Sequence, residues 1–191
     1  MKHKGTVVIE TERLLLRPFK KNDIYFSFKN YTNDEKVTEF LKWPPHEDET
    51  VTQSVIVDWI RGYKDKNFYQ WAIELKEISE PIGSISVVKM NEKTDTVEIG
   101  YAIGSKWWHK GITSEAFKGI IPFLFEKVKV QRIEARHDPN NTNSGKVMLK
   151  SGLTFEGTLR KSDWSNKGIV DTSVYSLLAE EYFNEKIYKR S

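Results

Sequence analysis

Within this chain of 191 residues, one stretch gathers side chains that could do chemistry together: Val97-Glu98-Ile99-Gly100-Tyr101-Ala102-Ile103-Gly104-Ser105-Lys106-Trp107-Trp108-His109-Lys110-Gly111-Ile112-Thr113-Ser114-Glu115-Ala116. A β-rich run enters a tight basic turn, and a helical pattern opens directly behind it. The first N–H groups of a helix have no partner inside it and attract anions. Gly111 lets the backbone approach a ligand closely, and Lys110 adds a full charge. Between residues 104 and 136 there are seven Lys or Arg against three Glu, a surplus that suits a small polyanion. The competing reading is a plain β-α turn with solvated lysines. A phosphate-bearing ligand is therefore the first hypothesis.

Other chemistries lack their residues. There is no cysteine, which rules out disulfides, thiolate metal sites and a Cys nucleophile. None of G-x-x-x-x-G-K-[ST], G-x-G-x-x-G or G-x-S-x-G occurs. His3, His46, His109 and His137 are scattered, so no metal site is expected. The net charge of +3 is too small for a dedicated nucleic-acid binder, and no direct nucleic-acid binding is expected. Mean hydropathy is −0.57, and no apolar run approaches the roughly 18 residues of a membrane span. No membrane partner is expected, and without a signal-peptide core the expected location is cytoplasmic.

The elements that must position this turn follow from periodicity. A strand is predicted over 9–19, ended by Pro18. Asn22 and Asp23 supply cap chemistry for a helix to about residue 30, and Asn33-Asp34 starts a second short one. Thr50 with Gln53 fits a capping box, behind which Val51, Val55, Ile56, Trp59, Ile60 and Tyr63 recur at helical spacing. Three β-rich runs, 68–75, 82–90 and 96–103, read as an antiparallel meander. A helix over 112–127 containing Pro122, a strand over 130–136 and a helix over 141–150 follow. A strand pair, 153–159 and 169–178, turns at Asn166-Lys167-Gly168, and a helix or tail covers 180–190. Length and the absence of any linker predict a single domain over 1–191.

Trp108-His109-Lys110-Gly111-Ile112-Thr113-Ser114-Glu115-Ala116 resembles the acetyl-CoA pyrophosphate loop of the GNAT N-acetyltransferases, and is similar to that of the RimJ/RimL-like branch, which acetylates ribosomal-protein N-termini. Three more segments agree in order. They are Glu10-Thr11-Glu12-Arg13-Leu14-Leu15-Leu16-Arg17-Pro18, then Asn141-x-x-Ser144-x-x-Val147-x-x-Lys150-x-Gly152-Leu153, and Asp171-x-x-x-Tyr175-Ser176-Leu177-Leu178. The resemblance implies an α/β GNAT fold: a mixed, mostly antiparallel sheet, a central β-α-β crossover and helices on both faces.

It also implies roles. Main-chain amides of the loop from His109 through Lys110, Gly111 and Ile112 to Thr113 would hold the pyrophosphate, with Trp108 anchoring the loop or touching the cofactor. Ile103 would offer backbone bonds to the pantetheine arm, Asn141 would contact the cofactor, and Ser144 would supply a hydroxyl near the thioester sulfur. Glu98 would be the base, through water. Three departures stand out. His109 occupies a position usually held by glycine, Thr113 stands at the family's final Gly or Ala, and Met148 replaces the Tyr that protonates the thiolate in many relatives. The implied reaction moves acetyl from acetyl-CoA to a primary amine, above all a protein N-terminal amine. A polyamine, an aminoglycoside, or a CoA-binding sensor without catalysis stay open as alternatives, and so does a homodimer.

Overall fold

The computed structural model describes residues 1–188; the last residues of the segment expected over 180–190, Lys189 and Arg190, lie outside the described residues. The strands are β1 (Ile9–Glu10), β2 (Leu14–Arg17), β3 (Gln70–Leu75), β4 (Glu80–Asn91), β5 (Thr96–Ile103), β6 (Arg132–His137), β7 (Thr154–Ser165) and β8 (Gly168–Leu178). Among the described residues they form one sheet in the order β1-β2-β3-β4-β5-β6-β8-β7. Neighbours run antiparallel except β5 and β6, which are parallel. Their connection is α4 (Ile112–Phe123), the expected crossover.

Alternation along the strands divides the faces. Trp71 and Ile73 of β3 and Val97 and Ile99 of β5 point into the main core, where Phe117 and Ile120 of α4 meet them. Ala72, between Trp71 and Ile73, packs instead with Phe19 and Ile56 of α3 (Glu49–Gly62). Helices therefore cover both faces. The side bearing α3 also carries α1 (Asp23–Ser27) and α2 (Glu35–Thr38), whereas α5 (Thr142–Lys150) contributes Met148 to the main core with α4. The terminal α6 (Ala179–Tyr188) leaves the end of β8.

Several local expectations are corrected. The single strand over 9–19 is two strands, because Thr11 turns the chain: its N–H donates to the Leu14 carbonyl and its Oγ1 accepts from the Leu14 amide. The capping box at Thr50 and Gln53 does not start α3. Asp48 does, accepting from the amides of Thr50 and Val51 at 2.8 and 3.3 Å. The buried stripe also departs from the expected one at its start, with Thr52 buried and Val51 exposed. The first helix leaves α geometry at Ser27 for a wide π turn over Phe28–Thr32. The helix over 112–127 likewise becomes a π turn at Leu124–Val128, two residues past Pro122, which removes one donor from the ladder.

Asn22 makes no capping bond. Asp23 is drawn inward instead, taking a two-pronged pair of bonds from Arg17 (2.7 and 2.8 Å) and one from the Lys20 amide. Arg17 also donates to Glu74 at 2.6 Å. Asp23→Ala would leave Arg17 with Glu74 alone and remove its two-pronged bond, and should lower unfolding stability by about 1.5–3 kcal/mol, read as an earlier midpoint in urea. An unmoved midpoint would show the trio to be structurally idle.

Candidate active site

The parallel ladder between β5 and β6 ends at Ile99 and Ala135, although β5 continues to Ile103 and β6 to His137. Gly104 donates to Ile82 across the β4–β5 ladder. By antiparallel alternation, the backbone groups of Tyr101 and Ile103 then point toward β6, where no strand meets them. The sheet is open at this place. A cavity of about 800 Å³ lies across the opening and is lined from both faces: by Glu98, Ser84 and Ser86 on one, and by Tyr101, Ile103 and Ser144 on the other.

On the α4 side, the basic turn leads directly into a helix start. Residues Ser105–Trp107 form a 3-10 turn, and His109 and Gly111 follow with φ of +61° and +74°. Glu115 makes the first helical bond, to the Gly111 carbonyl, so the amides of Ile112, Thr113 and Ser114 precede the ladder. Trp107 is buried, and the Trp108 indole donates to the Ile103 carbonyl at 2.9 Å, tying the turn to the end of β5. Lys110 and His109 are exposed beside it. The left-handed His109 explains why glycine suits that position: a side chain there costs about 1–2 kcal/mol.

A clamp that sequence pattern did not reveal fixes this turn from behind. Arg13 donates to Glu115 at 2.6 Å and to the Lys110 carbonyl at 2.9 Å, and Thr11 donates to Glu115 at 2.6 Å. Although burial pushes upward, the bonds from Thr11 and Arg13 hold the Glu115 carboxyl below its ordinary value. The first strand pair thus locks the helix start. All three residues lie in quoted motifs, but nothing local says that they meet.

Asn141 caps α5, its side chain accepting from the Ser144 amide at 3.3 Å. The Ser144 hydroxyl is 2.8 Å from that of Tyr101, which also donates to the Ser144 carbonyl. Burial pushes the Tyr101 phenol well above its ordinary value, so it keeps its proton. Its single proton goes either to the Ser144 carbonyl or to Ser144 Oγ, and in the second arrangement Ser144 is free to donate outward. Met148 is 1% exposed in the core and has no proton to give. His137 points Nδ1 at the Asp138 carbonyl and, depressed by burial, stays neutral at the strand end. Tyr175 is buried against His137 and Phe155.

Glu98 faces the other side. It is half-buried, beside Glu134 in the β5–β6 register, with Arg136 Nε 3.4 Å from its carboxylate. Burial raises its pKa, against the pull of Arg136 and Lys89. Trp43 and Trp59 wall this half of the cavity, whereas Trp71 is core. The β7–β8 hairpin closes it: the Asn166 side-chain amide donates to the carbonyls of Thr38, Leu41 and Trp43 at 2.8, 2.8 and 3.1 Å. Lys42 and Asp163 pair across the same seam at 2.7 Å. Asn166 was legible only as a turn residue. Among the described residues no cluster of His, Asp or Glu could hold a metal, and no helix is long and apolar enough to cross a membrane.

An opened parallel strand pair, a helix start facing it and a carboxylate across the gap share one cavity. Residues 13–154 match the acetyltransferase (GNAT) domain family, and the chain belongs to that family of transferases. YoaA of Bacillus subtilis, named an uncharacterized N-acetyltransferase, is 32% identical over 90% of this chain and 96% of its own length. The crystal structure of a GNAT-family acetyltransferase from Bacillus anthracis superposes with a TM-score of 0.80 at 28% identity, covering 92% of this chain and 100% of that one. The ribosomal-protein-serine acetyltransferase of Escherichia coli is 27% identical over 53% of this chain and 56% of its own length.

Proposed function

We propose that this chain, acting as a single domain, transfers acetyl from acetyl-CoA to a primary amine by direct attack, and that its acceptor is a protein N-terminal amine. The observation that carries the reading is the open sheet between β5 and β6, with anion-seeking amides on one side and Glu98 on the other. The amides of the turn from His109 to Thr113 would hold the pyrophosphate, and the outward N–H of Ile103, whose carbonyl accepts from Trp108, the arm that leads into the gap. The thioester supplies an activated acyl carbon. Glu98, through water, takes the proton of the incoming amine, whose nitrogen bonds to that carbon as the C–S bond breaks. Ser144, backed by Tyr101, passes a proton to the departing thiolate and regains one from water. Proximity contributes much of the rate. An α-amine with pKa near 8 needs less help from the base than a lysine amine near 10.4. The likeness to a ribosomal-protein-serine acetyltransferase supports the choice of acceptor.

The test is thiol release from acetyl-CoA with peptide, polyamine and aminoglycoside acceptors. Fast turnover with peptide N-termini is expected. Tight binding without turnover of any amine would replace this reading with that of a CoA sensor. Ser144→Ala should slow thiol release about tenfold while leaving acetyl-CoA affinity unchanged; the effect is modest because a thiolate of pKa near 8.5 leaves acceptably unaided. Full activity would assign protonation to water.

A further inference from the structure

The face that carries Glu98 holds two hydrogen-bond donors with no acceptor. Thr172 on β8 is 2% exposed, and its Oγ1 has no hydrogen-bond partner among the described residues. Arg136 Nε is buried and likewise makes no hydrogen bond, standing in ion-pair range of Glu98, while Nη2 reaches Glu134 at 3.2 Å. Arg136 is paired with Val174 in the β6–β8 register, so Thr172, two residues along, shares its face. Both line the cavity beside Glu98. Buried donors left unpaired are costly, and a ligand that brings an oxygen to them recovers that cost.

We propose that Arg136 and Thr172 seat the carbonyl oxygen next to the reactive amine, so that the cavity selects amines α to a carbonyl. The proposal rests on the reading of this cavity as the amine site. Ordinary bond lengths put the nitrogen and the carbonyl oxygen of an α-amino acyl unit about 3 Å apart, the scale on which Glu98 and Arg136 stand side by side. A neutral carbonyl fits better than a carboxylate, because Glu98 and Glu134 already balance the guanidinium. A polyamine or aminoglycoside would bring a further ammonium against Arg136 and no carbonyl to either donor.

The experiment compares L-phenylalaninamide with phenethylamine, the same amine without its carboxamide, by thiol release corrected for the unprotonated fraction of each. Wild-type protein should favour the amide at least tenfold in kcat/KM. Thr172→Val keeps the shape and removes the donor; it should raise KM for the amide about tenfold, the worth of one buried hydrogen bond. It should leave kcat, and both constants for phenethylamine, unmoved. Arg136→Gln should lower the preference ratio whatever it does to the absolute rates. Equal use of the two amines, or a Thr172→Val effect of the same size on both, would overturn the carbonyl seat while leaving acetyl transfer intact. Absence of thiol release with either of these and with spermidine would remove the amine site itself.

Discussion

Gly111→Glu should weaken acetyl-CoA binding by about 100-fold or more, equivalent to about 2.7 kcal/mol, while the protein stays folded. The residue caps α4 at φ +74°, and the amides behind it would face the pyrophosphate. A carboxylate placed there meets like charge in the ligand and occupies the end of the helix that favours anions. The fold itself has room for the side chain, since a Cβ at this position would meet only Arg13 Nη2, at 3.7 Å. The new carboxylate would also compete with Glu115 for Arg13, loosening the clamp. Any side chain in this left-handed conformation costs about 1–2 kcal/mol of stability, so the thermal midpoint should fall somewhat. Gly111→Ala separates the two contributions, because it carries the strain without the charge and should keep affinity within a few-fold of wild type. Calorimetry showing the glutamate variant at full affinity would move the diphosphate elsewhere, and an equal loss in the alanine variant would assign the effect to backbone geometry.

What could be read in advance was local. The strand over 96–103, the turn and the start of α4 share one continuous stretch, and its change of period from two to 3.6 survives folding unaltered. The start of α3 is expected at Thr50, two residues late, because a capping-box pattern does not register an acidic residue just ahead of it. Asp48 prevails with an extended backbone (φ −149°, ψ 176°) and an oxygen that reaches two amides. The rest depends on partners far along the chain. Arg17 could not be matched to Asp23 and Glu74, nor Arg13 to Glu115, without knowing which strands and helices meet. Thr172 reads as an ordinary strand residue until the order β6-β8 places it beside Arg136. Asn166 marks a hairpin turn in any sequence, but its hold on residues 38–43 is a property of how the hairpin leans over the cavity.

Glu98→Gln should lower kcat roughly 100-fold, within the range of about 10²–10⁴ for loss of a general base, with acetyl-CoA affinity unchanged. Only the ionised carboxylate can accept the amine proton. Burial sets its pKa above the ordinary carboxylate value despite Arg136 and Lys89, which makes it a stronger base than an exposed glutamate. The acid limb of the pH–rate profile should therefore fall as pH drops through that raised value, and should lose this component in the variant. Stability must move the opposite way from activity. A carboxyl whose folded pKa lies above its unfolded one binds more protons when folded, so its contribution to stability declines as pH rises through the window between the two values. At neutral pH the ionised Glu98 is thus a burden on the fold, and glutamine relieves it. Arg136 keeps its bond to Glu134 in the variant. The thermal midpoint at pH 7 should accordingly hold or rise as turnover collapses. A variant that lost both together would mark Glu98 as a structural partner of Arg136, and an unchanged acid limb would take it out of the chemistry.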